Sequence, residues 1–159
     1  MPPKPGKIPQ SLKLKPIAWD SSMSVGVEAI DFQHKRIAEY IKEFEKARES
    51  RDKDLISNAI FNLFEYIELH FQSEETLMEE AGYPLLETHR QVHRTFAARL
   101  GSYFERHEKG EDITTKLMSD LTIWWTTHVA GNDLDYAPHT KKLPKSEWIK
   151  RLLNRDKES

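Results

Sequence analysis

Five histidines and two acids in this chain are spaced as metal ligands are: His34, His70, Glu74, His89, His93, His128 and Asp133. Six of them fall on apolar seams that step by three and four residues, positions that face the core of a helical protein. Buried imidazoles and carboxylates without partners cost several kcal/mol, a large share of a fold's net stability. A cation that binds several of them at once removes that cost. The pairs His70/Glu74 and His89/His93 are four residues apart, so each pair lies one turn apart on one helix face. Five imidazoles and two carboxylates exceed the needs of one tetrahedral zinc and suit two first-row ions that prefer octahedral surroundings. Iron is the best assignment, with manganese or zinc the alternative on spacing alone. The Glu-x-x-His pairs of carboxylate-rich di-iron bundles are absent.

The elements needed to position these residues are legible. The first helix is expected from near Asp31, a good cap residue, to Glu49-Ser50, with the seam Ile30, His34, Ile37, Ile41, Phe44. The second runs from about Asp52 to Glu80 and stops at Ala81-Gly82, carrying Ile56, Ile60, Leu63, Ile67, His70, Glu74 and Leu77. Pro84 opens the third and Gly110 closes it, with the seam Leu86, His89, His93, Phe96, Leu100, Tyr103. The fourth begins after Asp112 and ends near Gly131-Asn132, with Leu117, Leu121, Trp124 and His128. Short connections make this an all-α, up-down-up-down four-helix bundle. In that topology the start of helix one, the end of two, the start of three and the end of four share one end of the molecule. All six seam residues therefore converge in one layer, and Asp133, five residues after His128, sits where the fourth helix runs out and can turn back into it.

Residues 1–18 read as a flexible N-terminal arm, 19–137 as the bundle and 138–159 as a C-terminal extension. That extension holds a short amphipathic helix, Ser146 to about Asn154, expected to dock on the bundle. The length suits one domain with a sizeable core. Apolar residues make up 38% and charged residues 31%, a balance for long solvated helix faces. A net charge of −2 without a basic stripe gives no support for nucleic-acid binding. The absence of cysteine excludes disulfides, thiol nucleophiles and thiolate-held haem or iron–sulfur clusters. No secretory h-region and no membrane-length apolar run is visible, so a cytoplasmic setting is expected.

The same residues closely resemble the hemerythrin family, specifically its single-domain bacterial members. The landmarks are Val25-Gly26-Val27, Ile30-Asp31-x-Gln33-His34, His70-Phe71-x-x-Glu74-Glu75-x-x-Met78, Tyr83-Pro84, His89-x-x-x-His93 and Trp124-x-x-x-His128-x-x-x-x-Asp133, spread over residues 19–137. The resemblance implies two non-haem irons joined by an oxo or hydroxo group. His89, His93 and His128 would hold one, His34 and His70 the other, and Glu74 and Asp133 would bridge them. It also implies a free coordination position that takes O2 reversibly, for carriage, storage or delivery, with an O2-consuming enzyme or redox partner as the further contact. Ile37, one turn after His34, and Trp124, one turn before His128, are the expected O2-pocket residues. Their apolar character favours binding over catalysis. A di-iron enzyme acting on peroxide or nitric oxide, an O2 or redox sensing module, and iron storage or repair are the competing functions.

The remaining polar candidates are expected outside the centre. Trp125 lies off the seam, at the bundle surface, and Glu75 is solvated. His107 lies about 21 Å along the helix from His93, and His139 follows Pro138 beyond the bundle; both are surface or packing residues. Bacterial relatives commonly carry an Asp-Lys-x-Tyr stretch where this chain has Asp133-Leu134-Asp135-Tyr136, and Asp135 is a weak competitor for the bridge.

Overall fold

In the computed structural model, residues 17–142 are described; the expected arm over 1–16 and the helix from Ser146 to Asn154 lie outside them. Four long helical runs form the bundle: α1 (Glu28–Ser50), α2 (Lys53–Glu80), α3 (Leu86–Glu108) and a fourth that starts as α4 (Thr114–Trp124). No strand occurs among the described residues. The turns are short and chemically explicable. Arg51 closes α1 in the left-handed region at φ 58°, and Asp52 then caps α2 by accepting from the backbone N–H groups of Asp54 and Leu55.

Three helix ends differ from the sequence expectation. Helix α1 starts at Glu28, so Asp31 lies inside its first turn. Its carboxylate accepts from the Val25 N–H at 2.9 Å and the Ser24 hydroxyl at 2.5 Å, which ties the incoming loop to the helix. Helix α3 starts at Leu86 rather than at Pro84. Gly82, at φ 65°, has already turned the chain there, and Pro84 sits in the turn. The fourth run does not stop at Gly131-Asn132. It passes through a π-helical segment, Trp125–Asn132, into α5 (Asp133–Tyr136).

Two apolar clusters fill the bundle, and a polar layer separates them. The larger contains Ile37 of α1, Ile67 and Phe71 of α2, Phe96 of α3 and Trp124 of α4. The smaller contains Ile30, Leu77 and Tyr136, with Leu86 packed against it. On every helical run the histidines and acids fall between a residue of one cluster and a residue of the other. The layer is sealed along both directions of the bundle axis.

Candidate metal centre

Each run delivers its polar residues by ordinary helix spacing except the last. Five residues along an α-helix amount to a rotation of about 140° away from the starting face, which would carry Asp133 away from His128. The π segment removes that offset, because its turn closes five residues back. The Asp133 backbone N–H accordingly donates to the His128 carbonyl. The expectation that the helix runs out and the acid folds back is thereby corrected: the helix continues, locally widened by its five-residue turn.

All seven residues are buried, none more than 5% exposed. The five imidazoles turn Nε2 inward. His34 Nε2 lies 3.1 Å from Glu74 Oε1 and 3.0 Å from Asp133 Oδ2. His89 Nε2 lies 3.0 Å from Asp133 Oδ1 and 3.4 Å from Glu74 Oε2. His128 Nε2 is 3.1 Å from Asp133 Oδ1, and His70 Nε2 contacts Glu74 Oε1. His93 Nε2 lies 3.4 Å from Glu74 Oε2 and 3.0 Å from His128 Nε2. These atoms form two overlapping groups with metal-ligand spacing: Glu74, His89, His93, His128 and Asp133, and His34, His70, Glu74 and Asp133. Both carboxylates belong to both groups.

The donor set fits cations better than it fits itself. His70 Nε2, Glu74 Oε2 and Asp133 Oδ2 are fully buried, and their close contacts within the centre are not well-aligned hydrogen bonds. The facing Nε2 atoms of His93 and His128 can share at most one hydrogen. Buried polar atoms are nearly always satisfied in native proteins, and a pair of ions satisfies all of these together.

Electrostatics divides the metal-free centre in two. Burial alone would raise the Glu74 carboxyl, but the imidazoles of His70, His34 and His89 overcome it and hold Glu74 well below the usual carboxylate range. Asp133 is also held down: burial and the Glu74 charge oppose its ionisation, while His128, His34 and His89 favour it and win. Burial opposes protonation of His34 and His89, yet bonds to Asp133 and Glu74 raise them to about 9 and about 10. His93 is raised in the same way by Glu74 and Glu75. Burial wins at His70, which is lowered, and at His128, which falls to about 4.

Around the seven lie residues to which the sequence analysis gave no role. Gln33 Oε1 is 2.7 Å from His70 Nδ1, and Gln33 Nε2 donates to Ser73 Oγ at 3.1 Å. Glu75 is not simply solvated: it is half-buried, 3.4 Å from His93 Nδ1 and 3.2 Å from Arg90 Nε. Phe71 stacks flat on His93 with ring centroids 3.8 Å apart. A signal for Gln33 existed, since Ile30, Gln33 and Ile37 also step by three and four. Of the expected pocket residues, Trp124 lies 5.5 Å from the His128 ring at a shallow angle, and Ile37 is fully buried in the larger cluster.

Trp125 is a clear correction. It is 3% exposed, inside the larger cluster with Ile17, with Trp19 and Met23 packed against that cluster. The segment before α1 covers what an isolated bundle would leave open. His107 is buried too, its Nε2 3.0 Å from the Lys53 carbonyl, which is a packing role. His139 and Asp135 are exposed and outside the centre.

A sequence profile of the Hemerythrin HHE cation binding domain matches residues 25–140. The chain belongs to the hemerythrin family. It is 36% identical over 147 residues to a bacteriohemerythrin of Stenotrophomonas maltophilia, covering 87% of this chain and 96% of that one. A Pseudomonas aeruginosa bacteriohemerythrin is 33% identical with the same coverage, and a myohemerythrin of Theromyzon tessulatum is 27% identical over 124 residues, 77% of this chain and 92% of that one. A crystal structure of a hemerythrin point mutant superposes with a TM-score of 0.74 at 21% identity, covering 78% of this chain and 96% of that chain, which shows the shared fold. Among the described residues, no helix is long and apolar enough to cross a membrane.

Proposed function

We propose that this protein binds O2 reversibly at a non-haem di-iron centre, for carriage, storage or delivery within the cytoplasm. His89, His93 and His128 hold one iron, His34 and His70 the other, and Glu74 and Asp133 span both. The observation that carries this is the pair of overlapping ligand groups, three histidines in one and two in the other, with both acids in common. The smaller group offers one imidazole fewer, so an ion held there would have room for O2. A pair of irons held there would supply the redox chemistry for taking up O2.

The chain's own part is to hold, dry and isolate. Two acids against roughly four positive charges leave room for the bridge. Ile37 and Trp124 wall the centre with apolar surface, while Ile30, Leu77 and Met78 close its other side. A dry site slows proton entry, and slow protonation is what keeps O2 binding from becoming irreversible oxidation. The apolar character of Ile37 and Trp124 favours binding over turnover of peroxide or nitric oxide.

The test is the visible spectrum of the reduced, iron-loaded protein as air is admitted and then removed. A charge-transfer band that rises and bleaches through repeated cycles is expected. Irreversible oxidation without such a band, or rapid turnover of peroxide or nitric oxide, would refute the proposal in favour of an enzyme.

A further inference from the structure

We infer that Gln33 and Ser73 are positioning residues that lock the His70 ring with its Nε2 lone pair facing the centre. The inference rests on the metal-centre assignment and deepens it.

The Ser73 hydroxyl spends its one hydrogen on the Leu69 carbonyl, 3.0 Å away. Its oxygen can then only accept, so it takes a hydrogen from the Gln33 amide nitrogen at 3.1 Å. That fixes which way the amide points and places Gln33 Oε1 2.7 Å from His70 Nδ1. A carbonyl oxygen is acceptor-only, so Nδ1 must carry the hydrogen. An imidazole that stays neutral then has its lone pair on Nε2, the atom aimed at Glu74 and the centre. Gln33, His70 and Ser73 are all fully buried, so no water competes for these bonds.

Three of the other imidazoles show no such neutral acceptor behind the ring. The Nδ1 atoms of His34 and His128 have no hydrogen-bond partner, and His93 Nδ1 faces the half-buried Glu75 at 3.4 Å. The relay therefore serves the group with only two histidines, where the loss of one well-oriented ring matters most. Its neutral amide also adds no charge behind His70, whereas a carboxylate stands behind His93.

Three variants of the full chain test this: Gln33→Met, which keeps the volume and removes the acceptor; Gln33→Glu, which keeps an acceptor; and Ser73→Ala. Iron(II) is titrated anaerobically against a competing chelator, and the hyperfine-shifted, solvent-exchangeable imidazole N–H protons are followed by NMR. Wild type should bind two equivalents and show a slowly exchanging N–H from His70. In Gln33→Met one equivalent should weaken by about 10–100-fold, the usual cost of losing an outer partner of a metal-bound histidine. The slow N–H should vanish, and Gln33→Glu should restore both. Ser73→Ala should show a smaller loss in the same equivalent, and it carries the test with Gln33→Glu if Gln33→Met does not fold. Wild-type affinity and exchange in Gln33→Met, or in Ser73→Ala where that variant carries the test, overturns the positioning role while leaving the centre intact. A wild type that takes up fewer than two equivalents overturns the centre itself.

Discussion

His70 shows how much one side chain does in this site. It contacts Glu74, its ring packs edge-on against His34 with centroids 4.6 Å apart, and its far nitrogen engages Gln33. Replacing it by alanine removes one of only two imidazoles from its group. His70→Ala should retain about one iron per chain, read by metal analysis after gel filtration; two irons with an unchanged spectrum would refute the ligand assignment. The protonation pattern gives a second prediction. His34 and His89 are raised to about 9 and about 10 in the metal-free centre, and metal ligation requires neutral rings, so iron uptake should release at least two protons, measurable with a pH indicator in weak buffer.

The sign of the pH dependence in the metal-free protein follows from the same residues. His34 and His89, raised to about 9 and about 10, contribute stability that is complete below pH 6.5 and is lost as pH rises through those values. Glu74 and Asp133, held low, contribute stability that is lost in acid. His128, depressed to about 4, contributes stability that is complete above pH 6.5 and lost as pH falls to that value. Thermal midpoints of the metal-free protein should therefore fall on both sides of neutrality, toward pH 9–10 and toward pH 4. A midpoint flat across that range would contradict the charge pattern.

At the scale of elements, the π segment converts a five-residue spacing into a shared face. Inserting one alanine after Gly131 would rotate Asp133 by about 100° and should lower iron content while circular dichroism stays helical. Deleting Ala130 leaves His128 and the acid four apart, a spacing that a plain α-helix places on one face, so iron should be retained. Equal loss in both variants would show that the widened turn itself is needed. The sequence made the seams legible because apolar residues repeat with the helical period and polar ones interrupt them at one level. It did not reveal the π segment, since Gly131-Asn132 resembles an ordinary helix stop and five-residue turns have no residue preference of their own. Glu75 was misplaced because solvation is judged from a residue's own helix, while its partner Arg90 belongs to α3. Trp125 was misplaced for the same reason, its cover coming from the segment before α1.

For the molecule as a whole, the centre is a polar plate between two apolar clusters; of the second, the seams gave Ile30, Leu77 and Leu86 but not Val25, Val27, Tyr83 or Tyr136. That cluster joins the Val25–Ile30 entry, the α2–α3 turn at Tyr83 and the end of the fourth run at Tyr136. Ile30→Ala should cost about 2–5 kcal/mol of stability and also shorten the lifetime of the O2-bound protein, because it opens the side of the centre away from Trp124. Normal stability loss with an unchanged lifetime would separate packing from sealing. Ion binding and folding are also coupled. Iron at a hundred times its dissociation constant should stabilise the bundle by about 2.7 kcal/mol for each ion bound, seen as a rise in the thermal midpoint over the metal-free protein.

The most direct measurement is an anomalous-scattering map at the iron edge from crystals of the iron-loaded protein. Two iron peaks per chain are predicted, one against His89, His93 and His128, the other against His34 and His70, with Glu74 and Asp133 touching both. A single peak, or iron anywhere else in the chain, would contradict the account.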